Sequence, residues 1–370
     1  MSGPRVYLDW NATTPPLPEV CAAMRAALEA CWANPSSIHA DGRRARAVIE
    51  DTREALAALI EAHPRDVLFT SGGTEANNLA LHDALGLALS RLEHPSIIRV
   101  AERLAAEGRP VVWLPVAESG MIELDAWPEL LGGLPPGSRV ALMAANHETG
   151  VIQPIARAAA LAHAAGLRLH VDAVQALGKL PASSWQGADT VSVAAHKLRG
   201  PKGIGALAWR GPPAPRPLLV GGAQERGLRP GTLDPIAAAG FGAAAARAKD
   251  GPARYAALEP LRARLAGALA EHGEENGAAP RLPHVASFSF PGWRGDELVA
   301  ALDLLGVSVS SGSACSAGTS EASPVIRAML GEERARSAVR ASLGDATTAS
   351  EVERAIHAFR RALTRRSSSS

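Results

Sequence analysis

The stretch from Leu167 to Trp209, LRLHVDAVQALGKLPASSWQGADTVSVAAHKLRGPKGIGALAW, decides the fold. Its runs Leu167–Asp172, Thr190–Ala194 and Gly205–Trp209 are short, apolar and bounded by turn residues, so each reads as a buried strand. Moving upstream, Asp66–Thr70 (DVLFT) and Arg139–Ala145 (RVALMAA) repeat the pattern. Ile155–Ala165 reads as a helix ended by Gly166. A Ser-Gly-Gly turn follows Thr70 and leads into a helix from about Glu75. Strands alternating with helices specify an α/β fold, with a mostly parallel, doubly wound sheet flanked by helices.

Downstream the pattern changes. Gly211–Pro217 (GPPAPRP) is a turn-rich connector, too short to divide domains, whereas KDGP at Lys249–Pro252 follows an Ala-rich helix and marks a boundary. Beyond it come a helix over Tyr255–Ala270, a strand over Ala286–Phe290 and a helix from Asp296. The last helix opens on a capping box of Ser350 and Glu353. Its apolar residues Val352, Ile356, Phe359 and Leu363 share one face. A smaller α+β domain fits this order. The expected division is a large domain over 15–248 and a small one over 1–14 and 249–365. The closing RRSSSS, and 366–370 in particular, reads as a disordered tail by composition. No internal repeat is present.

The chain has 370 residues, enough for about two domains. Its 38 basic and 37 acidic side chains nearly cancel, which argues against a direct nucleic-acid binder. Three cysteines are too few for a disulfide framework, so a reduced, intracellular setting is expected. The longest apolar stretch, Ile236–Ala246, falls well short of the roughly 20 residues a membrane span needs. MSGPRVYLDW has neither the apolar core of a signal peptide nor a transit pattern, so a soluble cytoplasmic protein is expected.

Within this frame, four features carry chemistry together. Ser71-Gly72-Gly73-Thr74 sits between strand and helix, where exposed N–H groups and a hydroxyl suit a phosphate; alone it reads equally well as an ordinary turn. Asp172 ends a strand, where open α/β sheets place their ligands, with Gln175 following; alone, Asp172 reads as a helix cap. Lys197 lies 25 residues after Asp172, at the end of another apolar strand, and is suited to Schiff-base chemistry. Phosphate turn, ring-nitrogen acid and lysine are what pyridoxal 5'-phosphate requires. The fourth feature is Ser310–Gly318 (SSGSACSAG), which leaves the Cys315 thiol among small residues rather than among core neighbours. By contrast Cys31 joins Val20, Met24, Ala27 and Leu28 at helical spacing and reads as packing, with Cys21 beside that stripe and structural too. Their separation does not suit a metal, and no metal site is expected. His94, between Glu93 and Pro95, reads by itself as a surface or capping histidine.

In order along nearly the whole chain, YLDWNATTP, FTSGGTEANN, EHPSI, NHETGVIQP, HVDAVQALGKLP, AHKLRGPKGIGAL, GGAQERGLRPGT, SSGSACSAG and VRASLG resemble the cysteine desulfurases of the class V aminotransferase type. The resemblance implies the pyridoxal-phosphate-dependent transferase fold and conversion of L-cysteine to L-alanine, with sulfur passing to a persulfide on Cys315. It implies that Lys197 holds the cofactor and acts as base, Asp172 pairs with the ring nitrogen, and Gln175 with the ring oxygen. Thr74, His196 and Gly73 then bind phosphate, and His94 stacks on the ring and assists proton transfer. Arg340 and Asn34 serve the substrate. Thr232 reaches the phosphate of the neighbouring subunit, which implies a homodimer. Sulfur would go to an iron–sulfur scaffold or a tRNA-thiolation protein. Two positions depart from the family pattern: His147 replaces a second Asn near the ring, and Ala194 replaces a Ser that gives the phosphate a hydroxyl. The short C-terminal tail also lacks the extension that docks a scaffold in some relatives. Rival readings are a selenocysteine lyase or another lyase of the same fold and, from a different class, a non-catalytic sulfur-transfer scaffold.

Overall fold

The computed structural model describes residues 4–312 and 322–367. The strands are β1 (Val6–Tyr7), β2 (Val67–Thr70), β3 (Leu87–Ser90), β4 (Val111–Leu114), β5 (Arg139–Met143), β6 (Arg168–Asp172), β7 (Thr190–Ala194), β8 (Gly205–Trp209), β9 (Glu274–Glu275), β10 (Val285–Ser289), β11 (Val307–Ser308) and β12 (Ala338–Ser342). The helices are α1 (Pro18–Ala30), α2 (Ala40–Ile60), α3 (Gly73–Leu81), α4 (Pro95–Ala106), α5 (Trp127–Gly132), α6 (Ile155–Ala164), α7 (Pro235–Ala248), α8 (Gly251–Ala256), α9 (Glu259–Leu269), α10 (Gly295–Leu304), α11 (Pro324–Arg336) and α12 (Ala349–Ser367).

Seven strands form one sheet in the order β2-β8-β7-β6-β5-β3-β4. Only β8 runs against its neighbours; the remaining pairings are parallel. Successive side chains of a strand face opposite ways, so each strand feeds two cores. Leu68, Leu87, Leu89, Ala141 and Leu207 pack with Leu79 of α3 and Val100 and Leu104 of α4. The alternate residues, among them Phe69, Val140, Leu142, Val171 and Val193, pack with Leu56 of α2 and Phe241 of α7. Burial on both faces explains why these strands read as continuous apolar runs.

A second core lies around β10, which pairs antiparallel with both β9 and β12. Leu265, Leu298, Leu302 and Phe359 fill it, joined by Val6 and Leu8 from the start of the chain. β1 pairs parallel with β11. The segment after Leu8 then crosses to the large sheet, where the Thr14 N–H donates to the His196 carbonyl at 3.2 Å. This crossing puts N-terminal residues over the carboxyl ends of β6 and β7.

Several local expectations need correction. The helix expected over Tyr255–Ala270 is two, α8 and α9, because Pro260 fits only a first turn and its ring would clash with the carbonyl of residue 256 in a continuous helix. The capping box of α12 is Thr348 with Glu351, not Ser350 with Glu353: the Thr348 N–H donates to the Glu351 carboxylate at 2.8 Å, and the Glu351 N–H donates to Thr348 Oγ1 at 3.3 Å. Glu353 instead accepts from Arg264 at 2.7 Å. α12 also continues through Arg365 and Arg366 to Ser367, Arg being a good helix former, so the tail is not irregular from 365 or 366. Cys31 is buried with Ala27 and Ala45, as expected. Cys21 is exposed in the single chain, and so is Leu28. Cys21 lies one residue past buried Val20, which turns it about 100° away from that face.

One buried ion pair braces the large sheet. The Arg53 guanidinium donates to both Glu225 oxygens at 2.6 and 2.8 Å, and the Phe69 N–H donates to the same carboxylate at 2.9 Å. The two side chains are 7% and 2% exposed. Removing Glu225 leaves Arg53 with only the half-exposed Glu50 and leaves the buried Phe69 N–H without its acceptor, so Glu225→Ala should cost about 2 kcal/mol, and Arg53→Met with Glu225→Leu should recover part of that. Urea unfolding reads this as a lowered midpoint for the single variant, and an unchanged midpoint would contradict the bracing role.

Candidate active site

The carboxyl ends of β6 and β7, the starts of α3 and α4, the crossing N-terminal segment and β12 meet around a cavity of about 200 Å³. Gly73, Thr74, His94, His147, Asp172, Gln175, His196, Lys197 and Arg340 all line it. Sequence-separated expectations therefore converge on one place.

Asp172 is the last residue of β6 and does two things. One oxygen accepts the Val174 N–H at 2.9 Å, the capping role, and the other accepts from Asn77 Nδ2 at 2.9 Å. Asn77 is held in turn by His170 Nε2 on its Oδ1 at 2.9 Å, and by Ser192 Oγ. Burial pushes the His170 imidazole down to about 3, so it is neutral with its proton on the nitrogen facing Asn77. The carboxylate orientation thus rests on a chain of buried polar groups.

Lys197 follows β7 in a short turn. Its amine donates to the Asn11 carbonyl and to the Ala12 carbonyl, the latter at 2.9 Å. His196 turns Nδ1 to Thr13 Oγ1 at 3.2 Å, and burial with Lys197 nearby pushes it down to about 3. Opposite, α3 begins at Gly73 close against β6–β7: a Cβ there would stand 2.8 Å from Val174 Cγ2 and 3.8 Å from Ala194. A glycine is needed for that approach. The first N–H groups of α3, those of Gly73 and Thr74, have no partner within the helix and form an anion-binding end. Ala194 is a buried apolar wall of the same cavity, where a hydroxyl would otherwise point.

His94 is both a cap and a wall. As N-cap of α4, its Nδ1 accepts the Ser96 N–H at 3.1 Å, which places the proton of the neutral ring on Nε2. Burial holds it below the ordinary histidine value. Its ring meets His147 edge-on, with centroids 5.7 Å apart. Both nitrogens of His147 are buried without hydrogen-bond partners, and burial keeps that ring neutral. Arg340 is 2% exposed; it donates to the Asp9 carboxylate at 2.6 Å and the His147 carbonyl at 2.9 Å, leaving Nε unpartnered. Beside it, Ser310 exchanges both backbone hydrogen bonds with Arg340, at 2.7 and 3.1 Å, which holds Ser310 next to a residue of the cavity wall. Cys315 itself lies outside the described residues.

Two expected residues are not brought in. Asn34 is exposed, its Oδ1 accepting the Ser36 N–H at 2.9 Å, and Thr232 is exposed in the loop before α7. Neither lines this chain's cavity. Conversely, Asn11, Asn77 and Asp9 serve the site and were not singled out from sequence. Asn77 left one signal: an amide on the face of α3 that buries Ala76 and Ala80. Among the described residues no cluster of His, Cys, Asp or Glu suits a metal, and no helix is long and apolar enough to cross a membrane.

Residues 6–355 match the family described as Aminotransferase class-V. The chain belongs to that family. Among its relatives, an IscS-like cysteine desulfurase of Mycobacterium tuberculosis is 40% identical over 97% of this chain and 96% of the relative. The cysteine desulfurase NifS of Azotobacter vinelandii is 38% identical over 95% and 90%. Among solved structures, a NifS-like protein from Rickettsia africae is 30% identical, with a TM-score of 0.87 over 97% of this chain and 99% of that one. A structure titled SspA in complex with cysteine is 28% identical, with a TM-score of 0.78 over 92% and 99%.

The buried imidazole of His170 has a measurable consequence. Its folded value of about 3 lies below the ordinary 6.5, so the unfolded chain takes up a proton that the folded one refuses. That contribution to stability is whole above pH 6.5 and is lost as pH falls toward 3. Relative to His170→Asn, the wild type should lose about 1.4 kcal/mol per pH unit in that window. Urea unfolding at several pH values checks this, and a difference that stays constant with pH would refute it.

Proposed function

We propose that this chain is a pyridoxal-phosphate-dependent cysteine desulfurase. It acts as a cytoplasmic homodimer that moves sulfur from L-cysteine onto Cys315 and then to an acceptor protein, an iron–sulfur scaffold or a tRNA-thiolation protein. One observation carries the reading: Lys197, Asp172 and the glycine-led start of α3 face one cavity that Arg340 closes from the second core. The names of the relatives support the same reading. A cofactor-binding portion over 15–248 and a smaller portion over 1–14 and 249–365 belong to this proposal.

The cavity fits the cofactor. It offers a free helix end for a phosphate, a carboxylate at a strand end and, on His147 and Arg340, buried nitrogens that lack partners. Lys197 would hold the group covalently and Asp172 would face its ring nitrogen. Gly73, Thr74 and His196 would take the phosphate, with the partner subunit's Thr232. Gln175 and His147 would line the ring. When bound, pyridoxal phosphate supplies an electron-accepting ring that stabilises charge at the substrate carbon.

The protein's own groups do the rest. Arg340, its plane fixed by Asp9 and the His147 carbonyl, receives the substrate carboxylate. The Lys197 amine removes the proton from the substrate α-carbon. Neutral His94, with its proton on Nε2, moves protons beside it. The Cys315 thiolate attacks the substrate sulfur; the carbon–sulfur bond breaks as a sulfur–sulfur bond forms, and the carbon left behind takes a proton. L-Cysteine and an enzyme thiol thus become L-alanine and an enzyme persulfide.

Cofactor-loaded protein should convert L-cysteine to alanine. Lys197→Ala should lose the visible cofactor band and lower turnover by roughly a hundredfold or more. Cys315→Ser should keep the band and make no persulfide. Wild-type turnover in Cys315→Ser would point to lyase chemistry and sink the thiol's role. Ala194→Ser, which adds a hydroxyl at the phosphate wall, should tighten cofactor binding by about 2- to 10-fold, the worth of one hydrogen bond. Equal release rates for variant and wild type would contradict that placement.

A further inference from the structure

Lys179 is a buried amine that the mechanism above does not use. It is 3% exposed, and its Nζ donates to Gln175 Oε1 at 2.9 Å. Among the described residues no carboxylate lies in ion-pair range of it. Lys197, Arg340 and His284 bear on it, and the Tyr255 ring stands 5.9 Å away. Burial and the neighbouring cations pull its amine down to about 7, so keeping a lysine there is costly. The same buried positions filled by an apolar side chain would carry no such cost.

We propose that Lys179 is a positioning residue: it fixes which way round the Gln175 carboxamide lies, so that the amide nitrogen is offered to the cavity as a donor. A carboxamide has an accepting end and a donating end of nearly equal shape, and only its partners choose between them. In its charged form the Lys179 amine can only donate, and it is Oε1 that faces it, at 2.9 Å. The Gln175 Nε2 then donates one hydrogen to the Asn11 carbonyl at 2.9 Å, the same carbonyl that accepts from Lys197. Its second hydrogen remains for a ligand, since Gln175 lines the cavity. An anionic ring oxygen there would meet a donor; with the amide reversed it would meet a carbonyl and be repelled. Bringing an anionic cofactor into the cavity also favours the charged form of Lys179, so the lock strengthens when it is needed. This assignment rests on the pyridoxal-phosphate reading above.

The test uses loaded wild type, Lys179→Met, Gln175→Ala and the double variant. Met keeps the length of the side chain and removes its donors, a change buried sites accept well. Two readouts are taken: the rate of cofactor release, and the pH midpoint of the visible cofactor band. Lys179→Met should release cofactor about 5- to 10-fold faster, the loss of one charge-assisted bond, and should shift the midpoint in the same direction as Gln175→Ala. The double variant should then match Gln175→Ala alone, because Lys179 acts through that amide. Effects that add in the double variant, or a Lys179→Met protein with wild-type release and midpoint, would overturn the assignment. A wild type that takes up no pyridoxal phosphate would overturn the functional reading itself, and this assignment with it.

Discussion

Everything at the site depends on one residue, Asn11, where the chain passes from the second core to the large sheet. Its carbonyl accepts from both Lys197 and Gln175. Its side chain donates to the His147 carbonyl at 3.0 Å and accepts from His284 at 2.9 Å, while its N–H donates to Ser342 Oγ at 2.9 Å. Three of these partners belong to the large sheet's loops and two to the β10–β12 layer. The residue is 1% exposed, so losing the bond made by its N–H or its side chain leaves a buried polar atom unsatisfied. That penalty keeps the amine of Lys197 aimed across the cavity and ties the two cores together where the chemistry takes place.

The electrostatics follow from burial. Five histidines near the cavity, His94, His147, His170, His196 and His284, are all held below the ordinary value by desolvation, so the wall is rich in neutral imidazole. Lys197, Arg340 and Asp172 are each fixed among these rings by specific partners. Glu93 beside His94 is buried too, and desolvation holds its carboxyl well above the usual range, which spares Asp172 a second anion close by. A site of this kind recognises an anionic, zwitterionic ligand through placed donors rather than through a broad field.

Much of this was legible in the sequence, for local reasons. Asp172 and Lys197 stand where apolar strands end, and a strand end in a parallel sheet is where ligands bind. Gly73 was legible because a glycine between strand and helix marks close backbone approach. Asn11, Asp9 and Asn77 were not, because the partners that tie them to the site include ones 93 to 331 positions away, and no periodicity encodes such pairs. Lys179 hid in a plain GKLP turn. Neither β3 nor the edge strand β4 was legible: LALS and VVWL are four residues long, with too few positions for a period to show. Pro260 shows the opposite failure, a strong local signal overridden by the apolar pattern around it.

The central claim is that sulfur taken from free cysteine lands on Cys315. Intact-mass and peptide mass spectrometry of the loaded protein after brief exposure to L-cysteine, without reductant, tests it most directly. The account predicts one added sulfur atom on the peptide containing Cys315, alanine formed in equal amount, and no gain on Cys21 or Cys31. Alanine production with an unmodified Cys315, or sulfur accumulating on Cys21 instead, would contradict it.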